Sequence, residues 1–537
     1  MIINLLYKFI CRVLTCVAIT STMAISAANA TIYYVATNGS DSNPGTNSQP
    51  LRTIAKGVKT LSAGDTLYVK SGTYEETILT SAMVIPNGTS WNNPITVAAN
   101  PGDIVTIKPP TDRAFFWILD GQSKFLIIKG FIIDGVNRAR HGVKFEGGTK
   151  YVRVMDCEIK NTTDSGILVT NGNSTSPDRI NTYHEFKNLK VHHTGSTEHA
   201  ASGFYIETGY NLVESSEFYN NKANGGKFFH GNLSGVANNN IARNNKFYNN
   251  STAGVWSCGL LMSSGNGNLG YNNIAYGNFA GFCLQSRVTN GRFYNNIAYE
   301  NDVYGFYVGF STTSGSRIEN NSVYNNGTYG IFVGDSATSS IVKNNIAYAN
   351  NIDLGLTNTT SSHNETENPS FVNIAGKDFH LQSNSPAIDK GTTISGISTD
   401  FGGQPRPKGA QFDIGAYEYQ GTGSTSTGGS TTGGTTSSST TTTTTSIFPP
   451  PLASPSPGTT LTTSSVTFTG AHTSQDLEHL LRVGTTPGGS DLFNQKLGSS
   501  HSATVSGLPT SGTLYVGWWT RNSSGWFVNN STFTMKR

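Results

Sequence analysis

A degenerate repeat, Asn-Asn-x-(small or apolar)-Tyr-x-Asn, constrains this chain more than any other feature. It stands at Asn244–Asn250, Asn272–Asn278, Asn295–Asn301, Asn320–Asn326 and Asn344–Asn350. Anchored on the second Asn of each pair (245, 273, 296, 321, 345), the steps are 28, 23, 25 and 24 residues. Fainter copies run upstream through Ser216, Asn188, Cys157 and Gly130. A period in this range marks a stacked, quasi-one-dimensional architecture. Each copy also contains a strand opened by glycine: Gly166-Ile-Leu-Val, Gly203-Phe-Tyr-Ile, Gly281-Phe-Cys-Leu, Gly305-Phe-Tyr-Val and Gly330-Ile-Phe-Val. Short apolar strands without helical period, at about 25 residues per turn, describe an all-β chain: a right-handed single-stranded parallel β-helix.

The organisation on either side follows from composition. Lys8 and Arg12 precede an apolar stretch from Val13 to about Ile25, and Ala28-Asn29-Ala30 reads as a small-x-small cleavage site, so residues 1–30 are a secretory signal peptide. Residues 31–80 form an N-terminal cap and first coil. There Leu51, Ile54, Ala55, Val58 and Leu61 fall at helical spacing and would cover the open end of the solenoid core. Coils occupy 81–356, and 357–420 is a C-terminal cap of loops and short strands. Residues 421–457 are a Ser/Thr/Gly/Pro-rich linker, too polar to bury a core. Residues 458–537 alternate short apolar runs with Gly and Pro turns, the pattern of a small β-sandwich accessory domain. Adjacent Trp518 and Trp519 must face opposite sides of a strand, so at least one fills its core.

The net charge is +3, and Lys8 and Arg12 account for two of these charges, which leaves +1 without the leader. No basic block stands out, so nucleic acid is not an expected partner. No segment after the leader is apolar enough to span a bilayer, and the protein is expected to be secreted or surface-associated and monomeric. Cys157, Cys258 and Cys283 remain after the leader. Their spacing is no zinc site. Cys258 and Cys283 lie in second strands of adjacent coils and could pair, but the expected reading is small core or surface residues.

In a solenoid, columns one coil apart matter more than sequence neighbours. The Asn column at 245–345 and a second at 221, 250, 278, 301, 326 and 350 read as structural ladders at bends. Tyr219, Tyr248, Tyr276, Tyr299, Tyr324 and Tyr348 should point outward, where stacking on one another is better supported than stacking on sugar. After each second-strand glycine, residues one and three should face in and two and four out. Outward positions are then Lys144 with Glu146, Tyr205 with Glu207, and, with Gly225 as the register glycine, Lys227 with Phe229. Choosing Gly226 would bury Lys227 without a partner. Nearby loops add His192, His193, Glu198, His199, Lys222 and His230.

Asn38-Gly39-Ser40-Asp41, together with Gly64-Asp65-Thr66-Leu67-Tyr68-Val69-Lys70-Ser71-Gly72-Thr73-Tyr74, resembles the opening segment of secreted pectate-lyase-like β-helix proteins. The coils resemble the right-handed parallel β-helix repeat family. The region 368–419 resembles the choice-of-anchor Q region, and the C-terminal domain, notably Leu480–Ser490, is similar to Ig or fibronectin-like modules. The resemblance implies work on extracellular polysaccharide. It specifies the fold strongly and the chemistry weakly. Ser202-Gly203-Phe204-Tyr205-Ile206-Glu207 resembles a lyase coil in which a catalytic lysine follows Gly-Phe by three residues, but Glu207 stands at that position. No cofactor is expected: calcium is conceivable, yet the aspartate cluster it would need is not found. The expected catalytic set is Lys227 as base, His230 as proton partner, Glu207 as orienter or acid, and Arg243 as carboxylate anchor. Lys144, Glu146, Tyr205 and His199 would bind substrate. An enzyme of this kind would be a polysaccharide lyase or glycoside hydrolase. The contrasting function is a non-catalytic adhesin or matrix component that uses the solenoid as a glycan-binding rod.

Overall fold

A computed structural model describes residues 30–172, 174–180, 182–196, 201–231, 236–251, 254, 256–421, 452–455, 459–470, 478–485, 490–522 and 525–536. The expected signal peptide therefore lies outside the described residues, as does most of the linker. One compact unit holds the chain to Ala387 together with Ile414–Tyr417, and a second holds Ile388–Asp413 and the residues from Glu418 onward.

The first unit is a parallel β-solenoid. Each coil contributes one strand to each of three sheets, in the order 1, 2, 3. One coil reads Leu212–Glu214, Glu217–Tyr219, Gly226–Phe228, and the next returns to sheet 1 at Ile241–Arg243. Sheet 1 stacks thirteen strands from Ile32–Val35 to Thr359–Ser362 and sheet 2 stacks eleven from Gly72–Tyr74 to Ile346–Tyr348. Sheet 3 runs through eleven strands from Ile78–Leu79 to Ile352–Leu356, with Thr313–Ser314 and Ala337–Thr338 beside it. The strands are mostly three residues long with a buried–half-exposed–buried or inverse pattern, so one or two side chains per strand enter a single apolar core running through all coils.

The repeated Asn-Asn pair has a physical division of labour. The first Asn takes the left-handed backbone conformation that turns the chain between sheets 1 and 2: Asn244, Asn272, Asn295, Asn320 and Asn344 have φ from +50° to +57°. Asn tolerates this region better than most L residues do. The second Asn is buried, and its amide bridges coils. Asn273 Nδ2 donates to Ala242 O at 2.9 Å and to Asn296 Oδ1 at 3.0 Å, and Asn296 continues to Asn321 and Asn345. The second column forms the same ladder from Asn221 to Asn350, which hands on to Asp353. A third ladder, Asn211–Asn240–Asn268, lines the corner between sheets 3 and 1, and no sequence expectation covered it.

The tyrosines of sheet 2 stack on one another as expected. Tyr219, Tyr248, Tyr276 and Tyr299 follow at ring separations of 4.9, 5.1 and 5.0 Å, with their planes nearly parallel. Phe379 from the C-terminal segment packs on Tyr299 and Tyr324. At the other end, the helix Ile54–Thr60 buries Ile54, Gly57 and Val58 over the first coils, with Thr53 accepting from Lys56 N as its cap. Glu76 accepts from Ile54 N and Ala55 N and neutralises two more amides of that first turn.

In the second unit, Arg406 and Glu418 form a buried ion pair at 2.5 Å between segments flanking the 414–417 stretch. The C-terminal residues fold into a small domain of two sheets, one of three strands and one of five, around Phe468, Leu481, Val483, Trp518 and Phe533. Trp518 is the inward member of its pair and Trp519 faces out.

Candidate functional site

The outward face of sheet 3 gathers the residues with reactive chemistry. Alternation behaves as the sequence predicts: Phe204 and Ile206 are buried, and Tyr205 and Glu207 turn outward. Gly203 and Gly225 occupy the same place on successive coils, and Phe204 pairs with Gly226, Tyr205 with Lys227 and Ile206 with Phe228. Gly225 is therefore the register glycine and Lys227 points out. Gly226 faces the core because a Cβ there would lie 1.9 Å from the Phe204 ring.

Lys227 is nonetheless well covered. Its Nζ lies 3.8 Å from the centre of the Tyr205 ring and 5.9 Å from that of Phe229, and these two rings stack at 6.2 Å. It makes no ion pair among the described residues. Burial pushes its amine below the ordinary lysine range, against the opposing pull of the Asp164 and Glu207 charges. Glu207 accepts a hydrogen bond from the Thr170 hydroxyl one coil earlier. The Tyr205 phenol is raised, first by burial and then by the neighbouring Glu207 charge. Two coils upstream of Tyr205, Lys144 and Glu146 pair at 2.9 Å. Glu146 also accepts from Trp117 Nε1 at 3.1 Å, and Lys144 and Arg113 both lie against the Trp117 ring, at 4.3 and 4.8 Å. Arg113 also lines a shallow, largely open depression of about 420 Å3 with Glu75, Glu76, Thr77, Leu79, Ala82, Pro110 and Thr111.

Other expected residues lie elsewhere. His230 follows the same alternation inward: it is 1% exposed, and its Nε2 lies 2.9 Å from Asn171 Oδ1. Arg243 belongs to sheet 1, not sheet 3, and is held by Glu214 at 2.5 Å and by the Tyr271 hydroxyl at 3.0 Å. His192 ends a strand of sheet 2 and His193 lies in the turn after it; the His192 ring stacks on Tyr219 at 4.6 Å and approaches Glu158 at 3.3 Å. Glu198 and His199 lie outside the described residues. The structure thus brings together Lys227, Tyr205 and Glu207, with the Lys144–Glu146 pair on the same face, and separates His230 and Arg243 from them.

Sequence reasoning missed three features of this face. Trp117 was legible, since Phe116-Trp117-Ile118 precedes Val143-Lys144-Phe145 in register. Thr170 and Asp164 lie on wide turns that carry no motif. The third is a disulfide: Cys258 and Cys283 are bonded, which corrects the expectation of unlinked residues. Strand pairing of Cys258 with Ala280 and Leu261 with Cys283 brings the two side chains to the outward side of adjacent coils, where oxidation joins them.

The carboxylates of the face are already engaged: Asp164 with Arg140, Glu146 with Lys144 and Trp117, Glu207 with Thr170. Among the described residues no three His, Cys, Asp or Glu side chains converge as a metal would need. This donor set does not fit calcium, which takes six to eight oxygens. Among the described residues no helix is long and apolar enough to cross a membrane.

Residues 33–384 match the family described as the Pel9A-like, right handed beta helix region. Among solved structures, the pectate lyase Pel9A is similar at 20% identity with a TM-score of 0.46, over 72% of this chain and 96% of that one. A rhamnogalacturonan lyase is similar at 18% identity with a TM-score of 0.44, over 64% of this chain and 91% of that one. XylC, solved with xylose, is similar at 13% identity with a TM-score of 0.44, over 59% and 75%. A curated Bacillus subtilis (strain 168) relative, "Uncharacterized protein YwoF", is 47% identical over 45 residues, which is 8% of this chain and 10% of that protein.

Proposed function

Because the chain belongs to the Pel9A-like right-handed β-helix family, we propose that it is an exported protein that takes extracellular polysaccharide across the outward face of sheet 3 and cleaves it by elimination, with Lys227 as base. The observation that carries this reading is the Lys227 amine: outward on the strand, covered by Tyr205 and Phe229, unpaired among the described residues, and held below the ordinary lysine range by burial. A neutral amine suits removal of a weakly acidic proton from the carbon next to a uronate carboxyl group. That proton passes to Lys227, its electron pair forms a carbon–carbon double bond, and the glycosidic carbon–oxygen bond on the neighbouring carbon breaks. Tyr205, kept protonated by burial and by Glu207, returns a proton to the departing oxygen. Glu207 orients Tyr205 and Thr170 fixes Glu207. Lys144, Glu146 and Trp117 hold sugars on the N-terminal side. A hydrolase would need two carboxylates free to act as an acid–base pair, and Glu146 and Glu207 are each committed to partners. The cross-coil disulfide supports export to an oxidising compartment.

The test incubates the protein with polygalacturonate, methyl-esterified pectin, rhamnogalacturonan and alginate while following the absorbance of unsaturated products. Product that disappears in Lys227→Ala and persists in Lys246→Ala, on sheet 2, supports the reading. Reducing ends without unsaturation, or no product at all, would sink it.

A further inference from the structure

We infer that sheet 3 carries a second, non-catalytic sugar platform on the C-terminal side of Lys227, built from Trp256, Phe279, Tyr304, Tyr307, Tyr329 and Phe332, which stacks on pyranose rings of a polysaccharide extending past the base. This rests on the reading of the face as a glycan cleft and adds a binding site to it. The column that contains Lys227 continues coil by coil through Leu261, Cys283, Tyr307 and Phe332. At roughly 4.8 Å per coil, Tyr307 lies on the order of 14 Å along the face from Lys227. The platform is therefore in line with the base and within reach of the same chain of sugars.

The rings are arranged as a floor with one raised member. Tyr304 stacks on Tyr329 at 5.6 Å and 6°, and Tyr307 on Phe332 at 5.5 Å and 18°. Trp256 lies 4.8 Å from Phe279 and 4.9 Å from Tyr307, yet 45% of its surface is open to solvent. Cys258, Ala280 and Cys283 pack as a buried cluster against Leu261, Phe279, Tyr304 and Tyr307. The disulfide within that cluster ties two coils beneath the rings. Little rotamer freedom remains to be lost on binding. Rings that carry phenol hydroxyls match the mixed surface of a pyranose, apolar on its C–H face and hydroxylated at its edge.

The experiment is electrophoresis in gels containing polygalacturonate, methyl-esterified pectin, alginate or xylan, for wild type, Trp256→Ala, Trp256→Phe and Lys246→Ala. For a polymer that retards the wild type, Trp256→Ala should bind about tenfold more weakly, the stacking contribution of one ring. Trp256→Phe should recover most of the loss, and Lys246→Ala should match wild type, all with unchanged melting temperature. Wild-type retardation of Trp256→Ala overturns the platform, while loss of product in Lys227→Ala would leave the cleft reading standing. A dimer in sedimentation that Trp256→Ala dissociates would make the face a contact between copies and also overturn it. No retardation and no product with any polymer removes both readings.

Discussion

Asn244 is exposed at φ +57°, whereas Asn245, the next residue, is 1% exposed and gives its amide to Val213 O at 2.9 Å and Asn273 Oδ1 at 3.0 Å. Its side-chain Oδ1 accepts from Ser216 N at 3.0 Å. The same residue type is therefore used for two unrelated reasons. Asn244→Gly should change stability by no more than about 0.5 kcal/mol, because glycine enters the left-handed region freely. Asn244→Val should cost about 1–2 kcal/mol of backbone strain. Asn245→Ala should cost about 2–4 kcal/mol, since it leaves buried donors and acceptors on three coils without partners. Urea unfolding followed by circular dichroism would rank the three, and equal losses at 244 and 245 would contradict the ladder. At Lys227 the sign of the pH effect follows from burial. Its folded value lies below its unfolded value of about 10.4, so the folded state binds fewer protons between the two. Stability should therefore rise with pH through that window, and Lys227→Met should abolish the rise without lowering stability at neutral pH. In the proposed reaction the rising limb of the rate profile reports the same group. Asp164→Asn or Glu207→Gln removes a charge that holds the amine up, and should move that limb to lower pH.

Between strands, the weak point of a solenoid is the contact of one coil with the next, because each coil touches only its neighbours. Cys258–Cys283 closes a separation of 25 residues across one such contact. The strands it joins, Cys258–Asn266 and Ala280–Thr289, are the longest in sheet 3 and shift register between Met262 and Ser264. Reduction, or Cys258→Ser with Cys283→Ser, should cost about 3 kcal/mol on loop-closure grounds. Hydrogen exchange should show the loss concentrated in residues 258–289, and uniform loosening of all coils would argue against a local staple. That this bond forms was not readable from spacing alone. Coil length varies from one repeat to the next, so which residues oppose each other depends on the register reached after turns of unequal length.

Over the whole chain, every residue of the proposed site lies in the unit that runs to Ala387, and the C-terminal sheets belong to the other unit. A fragment of residues 31–420 should fold, keep the far-ultraviolet signature of parallel strands and release the same products as the full chain. Loss of product with fold intact would assign the C-terminal domain a part in substrate capture. The scale at which each feature became legible follows from the range of the interaction behind it. Strand alternation, the Asn columns, the helical cap at Ile54–Thr60 and the opposite facing of Trp518 and Trp519 are local or strictly periodic. They depend on backbone geometry that repeats with the residue number, and so the amino-acid sequence by itself determined the solenoid, its coil length and the outward direction of Tyr205, Glu207 and Lys227. Only the tertiary structure decided that Arg243 stands on another sheet, that His230 is turned into a corner beside Asn171, that Cys258 meets Cys283, and that Trp256 stands on the same face as the base. Each of these is a contact between coils or the exit direction of an irregular turn, and such contacts are set by how successive turns pack, not by any period within one of them.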